Sequence, residues 1–92
     1  ALIGASPDGR GRPRARIVGF ADAGGDPHAS LLAGFSAMEK VLARTGLSLD
    51  AMDRIEFMEA FGVTIAKFLR DFPVDPAKVN VAGGHIARGH PM

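Results

Sequence analysis

The chain has 92 residues, which is enough for one small domain but not for several. Hydrophobic residues make up 47% of it and charged residues 23%, a balance typical of a folded domain and not of a disordered polar tail. Eleven basic and ten acidic residues give a net charge of +1, which favours neither nucleic acid nor acidic lipid as a partner. The absence of cysteine excludes disulfides and a thiol nucleophile within these residues.

The first half of the sequence predicts a loop, a strand and a helix, in that order. Residues 6–13 are rich in glycine, proline and arginine, which is typical of an exposed loop. Residues 15–21 carry β-branched and aromatic side chains, and predict a strand covered on both faces. Ser30 is a suitable N-cap for a helix that runs to about Arg44, and Gly46 is its stop signal. The apolar stripe of this helix is formed by positions 31, 35, 38 and 42.

The second half predicts another short strand and another helix. Residues 55–58 favour the strand, and residues 59–72 favour a helix that ends before Pro73. The apolar stripe of this helix is formed by positions 61, 65, 68 and 72. A turn, a short extended piece at 79–81 and a glycine-punctuated loop from residue 82 follow. The order strand, helix, strand, helix predicts the α/β class, with a core too small for an independent domain.

Three segments, taken together, resemble the thiolase family of acyl-CoA C-acyltransferases. Residues 13–21 (PRARIVGFA) are similar to the strand that opens the C-terminal half of that family. Residues 55–61 (IEFMEAF) resemble its asparagine-Glu-Ala-Phe motif, and residues 80–91 (NVAGGHIARGHP) resemble its double-glycine and Gly-His-Pro signature. Each motif alone is weak, but the three occur in the family's order and spacing.

The resemblance implies a thiolase-like fold of two α/β halves in five layers, αβαβα. Residues 1–12 are then expected to be the end of the N-terminal half and a linker. Residues 13–92 are expected to be the first part of the C-terminal domain, truncated after the Gly-His-Pro motif. The family's nucleophilic cysteine and its second, acid–base cysteine both belong to other regions. The resemblance therefore implies that these 92 residues alone do not catalyse the reaction.

The resemblance also implies roles for three residues. His90 matches the histidine that activates the nucleophilic thiol and helps to form an oxyanion hole, and imidazole chemistry suits both tasks. Phe61 matches the phenylalanine that lines the acyl-pantetheine pocket, although its place in the apolar stripe leaves a core role equally open. Met58 stands where most members have an asparagine that holds a water of the oxyanion hole. A thioether donates no hydrogen bond, so an active subfamily and an inactive thiolase-like protein both stay open.

The implied reaction is thiolytic cleavage of 3-ketoacyl-CoA or condensation of acetyl-CoA. No cofactor or metal is expected, because the CoA thioester is itself the activated substrate. His85 and His90 are too few ligands for a metal site, and Gly83 and Gly84 are expected to form a tight turn. For the intact protein we expect acyl-CoA and CoA as partners, a homodimer or homotetramer, a cytoplasmic location, and no nucleic acid or membrane partner.

One motif suggests a different class of function. Residues 9–14 (GRGRPR) contain an Arg-Gly-Arg-Pro core that resembles an AT-hook, whose arginines read the narrow minor groove of A·T-rich DNA. The rest of the chain has no basic bias, and residues 13–16 are also covered by the thiolase resemblance. A DNA-binding segment is therefore the remote alternative.

Overall fold

The computed structural model describes residues 14–29 and 31–90, and its regular elements within them are helices. Helix α1 spans Ala33–Thr45, α2 spans Gly62–Asp71 and α3 spans His85–Arg88. The connections contain three single-turn 3-10 helices, at Pro27–Ala29, Leu49–Ala51 and Pro76–Lys78. No helix in the described ranges has the length and apolar character needed to cross a bilayer.

The strand predicted at residues 15–21 is not formed. Among the described residues, none of residues 14–25 makes a backbone-to-backbone hydrogen bond. Ile17, Val18 and Phe20 are 67%, 61% and 81% exposed, whereas the sequence predicts a strand covered on both faces. A strand needs a neighbouring strand to satisfy its N–H and C=O groups, and no part of the described chain lies beside this segment in that way. The described residues therefore do not confirm the α/β class.

The strand predicted at residues 55–58 is reduced to one residue pair. Ile55 and Val79 form an isolated parallel bridge. The N–H of Ile55 donates to the carbonyl of Lys78 at 2.9 Å, and its carbonyl accepts from the N–H of Asn80 at 2.9 Å. Asn80 has φ +48°, in the left-handed region, so the extended piece predicted at 79–81 turns away after Val79.

Helix α1 begins later than the sequence predicts and ends where predicted. Leu31 has φ +70° and lies in a turn, so the helix starts at Ala33. The predicted cap, Ser30, lies outside the described residues. At the other end Gly46 adopts φ 68° and ψ 17°, which confirms the predicted stop signal.

Helix α2 begins at Gly62, three residues later than predicted. Glu59 lies outside the helix because its carboxylate accepts hydrogen bonds from Asn80 and from the N–H of Ile86. Phe61 is extended at the N-cap, with φ −142° and ψ 148°. Its carbonyl accepts from the N–H of Thr64 at 3.0 Å and from the Thr64 hydroxyl at 2.7 Å. The helix ends at Asp71 because Phe72 precedes Pro73, and a residue before proline disfavours the helical conformation.

A cluster of four phenylalanines forms the core. Phe68 is fully buried, and its ring centroid lies 4.7 Å from Phe57, 5.5 Å from Phe72 and 6.3 Å from Phe35. The cluster joins α1, α2 and the segment between them, and burying one such side chain contributes about 1.5–3 kcal/mol. The predicted stripe of α2 is thus confirmed at Phe68, but it is wrong at Phe61, which is 63% exposed.

The last described segment contains a helix where the sequence predicts only a loop. Helix α3 is one turn long and lies between Gly83 and Gly89, which have φ +89° and +88°. The N–H of Gly83 donates to the carbonyl of Asn80 at 2.8 Å and closes a tight turn. This turn confirms the role predicted for Gly83, since glycine adopts such φ values at no steric cost.

Candidate functional site

Met58 lines an open apolar groove of about 400 Å³ between α1 and the segment that precedes α2. Its side chain is 47% exposed. The neighbours that give the groove its apolar character are Leu31, Phe35, Met38, Ile55, Phe57 and Ala60. Such a concavity suits an apolar group, and the Met58 thioether donates no hydrogen bond into it.

Phe61 and His90 do not line this groove. Phe61 lies at the start of α2 with its ring largely exposed. His90 is exposed and follows Gly89, at the end of the described chain. Residues 14–29 and 31–90 therefore bring Met58 to the groove without bringing the other two predicted site residues to it.

Asn80 connects the segment that carries Met58 with the glycine-rich segment. Its Oδ1 accepts from the N–H of Phe57 at 2.7 Å, and its Nδ2 donates to the carbonyl of Phe57 at 3.0 Å. The same Nδ2 donates to Oε1 of Glu59 at 2.9 Å. The two residues that flank Met58 are thus both held by one amide side chain.

Glu59 extends this connection to α3. Its Oε2 accepts from the N–H of Ile86 at 3.2 Å, in the first turn of that helix. The carboxylate lies directly against Gly84, where a Cβ atom would overlap it. Gly84 therefore serves the close approach of a carboxylate, whereas Gly83 serves the turn.

Arg88 also stabilises the turn between Asn80 and α3. Its guanidinium donates to the carbonyl of Ala82 at 3.1 Å and also to the carbonyl of Gly83. Both acceptors lie between Asn80 and α3, so the turn is tied to the helix that follows it. This ties the last residues before His90 to the same local structure.

Hydrogen bonding lowers the pKa of Glu59 below its ordinary value of 4.5. The largest cause is donation by Asn80, followed by donation from the N–H of Ile86. Desolvation acts in the opposite direction, and His85 adds a smaller electrostatic effect that lowers the pKa. Glu59 is therefore a carboxylate at neutral pH, an acceptor at both oxygens.

Two further observations concern metal binding and DNA binding. His85 has a buried Nδ1 that meets no hydrogen-bond partner in the described part of the chain. No three His, Cys, Asp or Glu side chains converge as metal ligands within residues 14–29 and 31–90. Of the arginines in the AT-hook-like motif and the residues that follow it, Arg14 and Arg16 are exposed, whereas residues 9–13 lie outside the described residues.

Comparison with known protein families decides the family. The family model described as "Thiolase, C-terminal domain" matches residues 11–92. The chain belongs to the thiolase family.

Individual thiolases are similar to the chain over most of its length. It is 42% identical over 81 residues to the steroid 3-ketoacyl-CoA thiolase FadA6 of Mycobacterium tuberculosis, which covers 88% of the chain and 20% of that relative. It is 46% identical over 82 residues to the 3-oxoadipyl-CoA/3-oxo-5,6-dehydrosuberyl-CoA thiolase of Escherichia coli, with 87% and 20% covered. It is 37% identical over 81 residues to the cytosolic acetyl-CoA acetyltransferase of mouse, with 88% and 20% covered. The chain thus spans about a fifth of the length of these thiolases.

Sequence reasoning assigned no role to Glu59 or Asn80. Both residues stand inside thiolase-like motifs, Glu59 in the Glu-Ala-Phe stretch and Asn80 at the start of the double-glycine segment. Their presence there was a signal, but the contact between them spans 21 residues of sequence and no local periodicity indicates it. The helical pattern predicts that Glu59 belongs to α2, and for this reason its contact with Asn80 was not predicted.

Proposed function

We propose that this chain contributes the first part of the C-terminal half of a thiolase-type acyl-CoA C-acyltransferase. The complete protein would cleave 3-ketoacyl-CoA with CoA, or condense acetyl-CoA in the reverse direction. The match of the thiolase C-terminal domain over residues 11–92 is the observation that carries the proposal. The names of the relatives, which include 3-ketoacyl-CoA thiolases and acetyl-CoA acetyltransferases, support the same reaction class.

In the proposed architecture, residues 1–12 are the end of the first half and a linker, and residues 13–92 open the second half. The complete fold is α/β with five layers, and residues 15–21 become a strand when a neighbouring strand is present. The enzyme is a homodimer or homotetramer in the cytoplasm. It takes acyl-CoA and CoA and needs no metal or further cofactor, because a thioester and a thiol suffice for acyl transfer.

In the proposed mechanism His90 is the base of the first step. It removes the proton from a cysteine thiol that lies outside this chain, and the thiolate attacks the 3-keto carbon of the substrate. Hydrogen-bond donors, among them His90, stabilise the oxyanion that forms. The C2–C3 bond then breaks, and an acid outside this chain protonates the acetyl-CoA carbanion. The CoA thiol attacks the acyl-cysteine thioester and gives its proton back to that acid group, and the released cysteine thiolate takes back its proton from His90. Phe61 lines the pantetheine arm of the substrate, and Met58 lies beside the reacting acyl group.

The test is turnover of acetoacetyl-CoA and CoA by the full-length protein that carries this chain. His90→Asn should lower kcat by roughly 10²–10⁴-fold, the usual contribution of a general acid–base group, while the protein stays folded. The matched control is His28→Asn, at an exposed histidine in the 3-10 helix Pro27–Ala29, which should leave kcat unchanged. Undiminished turnover in His90→Asn would contradict the assignment of His90.

A second candidate function is supported by Met58, which cannot replace the donor asparagine of the family. In that case the protein is a thiolase-like module that binds acyl-CoA without turning it over. Binding of acetoacetyl-CoA by the full-length protein, with neither thiolysis nor condensation, would favour this alternative over the enzyme.

A further inference from the structure

We propose that Glu59 and Asn80 are a positioning pair that holds the segment carrying Met58 against the segment leading to His90. The inference rests on the proposed function, because its consequence for catalysis depends on Met58 and His90 lying at the acyl-transfer site. The pair itself is a set of hydrogen bonds among described residues, so its existence can be tested separately from activity.

Asn80 is held in place by its own backbone. Its backbone N–H donates to the carbonyl of Ile55 at 2.9 Å, which anchors the residue beside the parallel bridge. Its left-handed φ of +48° directs the chain into the turn that ends at Gly83. The side-chain amide then takes both backbone groups of Phe57, so the residue before Met58 is held on both its N–H and its carbonyl.

Glu59 carries the constraint from Asn80 to α3. One carboxylate oxygen accepts from Nδ2 of Asn80 and the other from the N–H of Ile86. Contact with Gly84 leaves no room for a side chain at that position. Met58 therefore lies between two held residues: Phe57, which is hydrogen-bonded to Asn80, and Glu59, which is a member of the pair.

The constraint reaches His90 through one helical turn. Ile86 is the second residue of α3, and the N–H of Gly89 donates to the carbonyl of His85 at 2.8 Å, which closes that turn. His90 follows Gly89 directly. Holding the N–H of Ile86 therefore sets where the turn begins, and the length of the turn sets where His90 leaves it.

The chemistry of the pair makes it sensitive to donor and acceptor identity. Among the described residues both hydrogen-bond partners of the Glu59 carboxylate are neutral N–H donors, and Lys and Arg form ion pairs only with Asp71. Hydrogen bonds from neutral donors to a charged acceptor are strong and directional. Replacing the Nδ2 donor of Asn80 by an oxygen acceptor, in a side chain of the same shape, therefore turns its attraction to the Glu59 carboxylate into a repulsion.

This property provides an exchange experiment in the full-length protein. Asn80→Asp places a second carboxylate oxygen against Oε1 of Glu59, and Glu59→Gln alone turns an amide NH₂ toward one of its two donors. In the double variant Glu59→Gln with Asn80→Asp, the new amide donates to the new carboxylate while its oxygen still accepts from the N–H of Ile86. The backbone carbonyl of Phe57 loses its Nδ2 donor and faces a carboxylate oxygen instead, so restoration is expected to be partial.

The readout is kcat and KM for thiolysis of acetoacetyl-CoA, measured well below the thermal midpoint of each variant. Each single substitution should lower kcat on the order of 10²-fold, the effect expected of misplacing a reacting group by about 1 Å, with a much smaller change in KM for CoA. The double variant should recover kcat by about tenfold or more over Asn80→Asp, because residues in contact are not additive. The control Glu39→Gln makes the same charge change on the exposed face of α1 and should leave kcat unchanged.

A kcat for Asn80→Asp equal to that of the wild type, or a double variant equal to the product of the single effects, would overturn the proposal. If a single variant does not fold, the double variant decides: a folded and active double variant supports the pair, and an unfolded one overturns it.

Hydrogen exchange of residues 84–90 separates this outcome from a failure of the proposed function. If the wild type has no thiolase activity, the proposed function is wrong. The pair is then still supported by faster exchange at the Ile86 amide in Asn80→Asp that is slowed again in the double variant. Equal exchange in wild type, single and double variants would overturn it.

Discussion

The side-chain amide of Asn80 pairs with both backbone groups of Phe57, as a neighbouring strand would. The backbone of Asn80 already pairs with Ile55, next to the bridge between Ile55 and Val79. After Val79 the main chain turns away, and the amide continues the pattern of hydrogen bonds at Phe57, two residues beyond Ile55 on the opposing segment. A side chain thereby satisfies the backbone groups that a longer strand would otherwise satisfy.

Replacing Asn80 by alanine should weaken the local structure at Phe57. Both backbone groups of Phe57 lose their partners, which costs about 1–3 kcal/mol where they are shielded from water. Alanine also tolerates a φ of +48° less well than asparagine does. Hydrogen exchange at the Phe57 amide should be faster in Asn80→Ala, and somewhat less so in Asn80→Gly, which removes the same hydrogen bonds without backbone strain. Unchanged exchange in both variants would contradict this prediction.

Replacing Met58 by asparagine tests whether the proposed oxyanion hole lacks a donor. Asparagine restores a side chain that can hold a water, and one such donor is worth on the order of 10²–10³-fold in kcat. We expect kcat of the full-length protein to be unchanged or raised. An increase with asparagine but not with the matched variant Met58→Leu would show that hydrogen bonding, and not side-chain shape, limits the rate. A decrease with asparagine would mean that the thioether itself is needed.

Truncating Phe68 should remove the centre of the core. Phe68 is the one large side chain among the described residues that is fully buried, and Phe→Ala at such positions costs about 3–5 kcal/mol. The thermal midpoint of Phe68→Ala should therefore lie well below that of the wild type. Val63→Ala, at a position on α2 that is 73% exposed, should change the stability of the same protein by no more than about 0.5 kcal/mol. Equal effects of the two substitutions would mean that the phenylalanine cluster is not the core.

The pH dependence of stability should report on Glu59. Its hydrogen bonds lower the pKa of Glu59 in the folded state below the ordinary value of 4.5. The contribution to stability is therefore fully present above about pH 5, and is lost as the pH falls through the folded-state pKa. Thermal midpoints measured from neutral to acid pH should fall less steeply for Glu59→Gln than for the wild type. Identical slopes for the wild type and Glu59→Gln would argue against the lowered pKa.

The purified 92-residue chain should associate through its first described segment. Ile17, Val18 and Phe20 expose apolar surface together, and such patches promote binding or aggregation. We expect the chain to bind an apolar dye and to sediment as more than a monomer, and we expect Val18→Lys to reduce both effects. A monomer that binds no dye would contradict this prediction.

The sequence alone determined what depends on near neighbours. Helices α1 and α2 follow from apolar residues at helical spacing, and Gly46 and Pro73 mark where they end. Helical hydrogen bonds connect residues four apart, so a local pattern contains the information that such an element needs. The motifs that identify the thiolase family are likewise contiguous runs of residues. For this reason both could be read without a structure.

Only the tertiary structure decided which residues leave those patterns. Glu59 is included in the helix that the sequence predicts, yet it lies before α2, and its hydrogen-bond partners lie 21 and 27 residues further along the chain. Residues 15–21 have the composition of a strand, but composition does not supply the neighbouring backbone that a strand needs. Long-range hydrogen bonds and strand pairing depend on what lies nearby in space. Spacing along the sequence describes only what lies nearby in the chain.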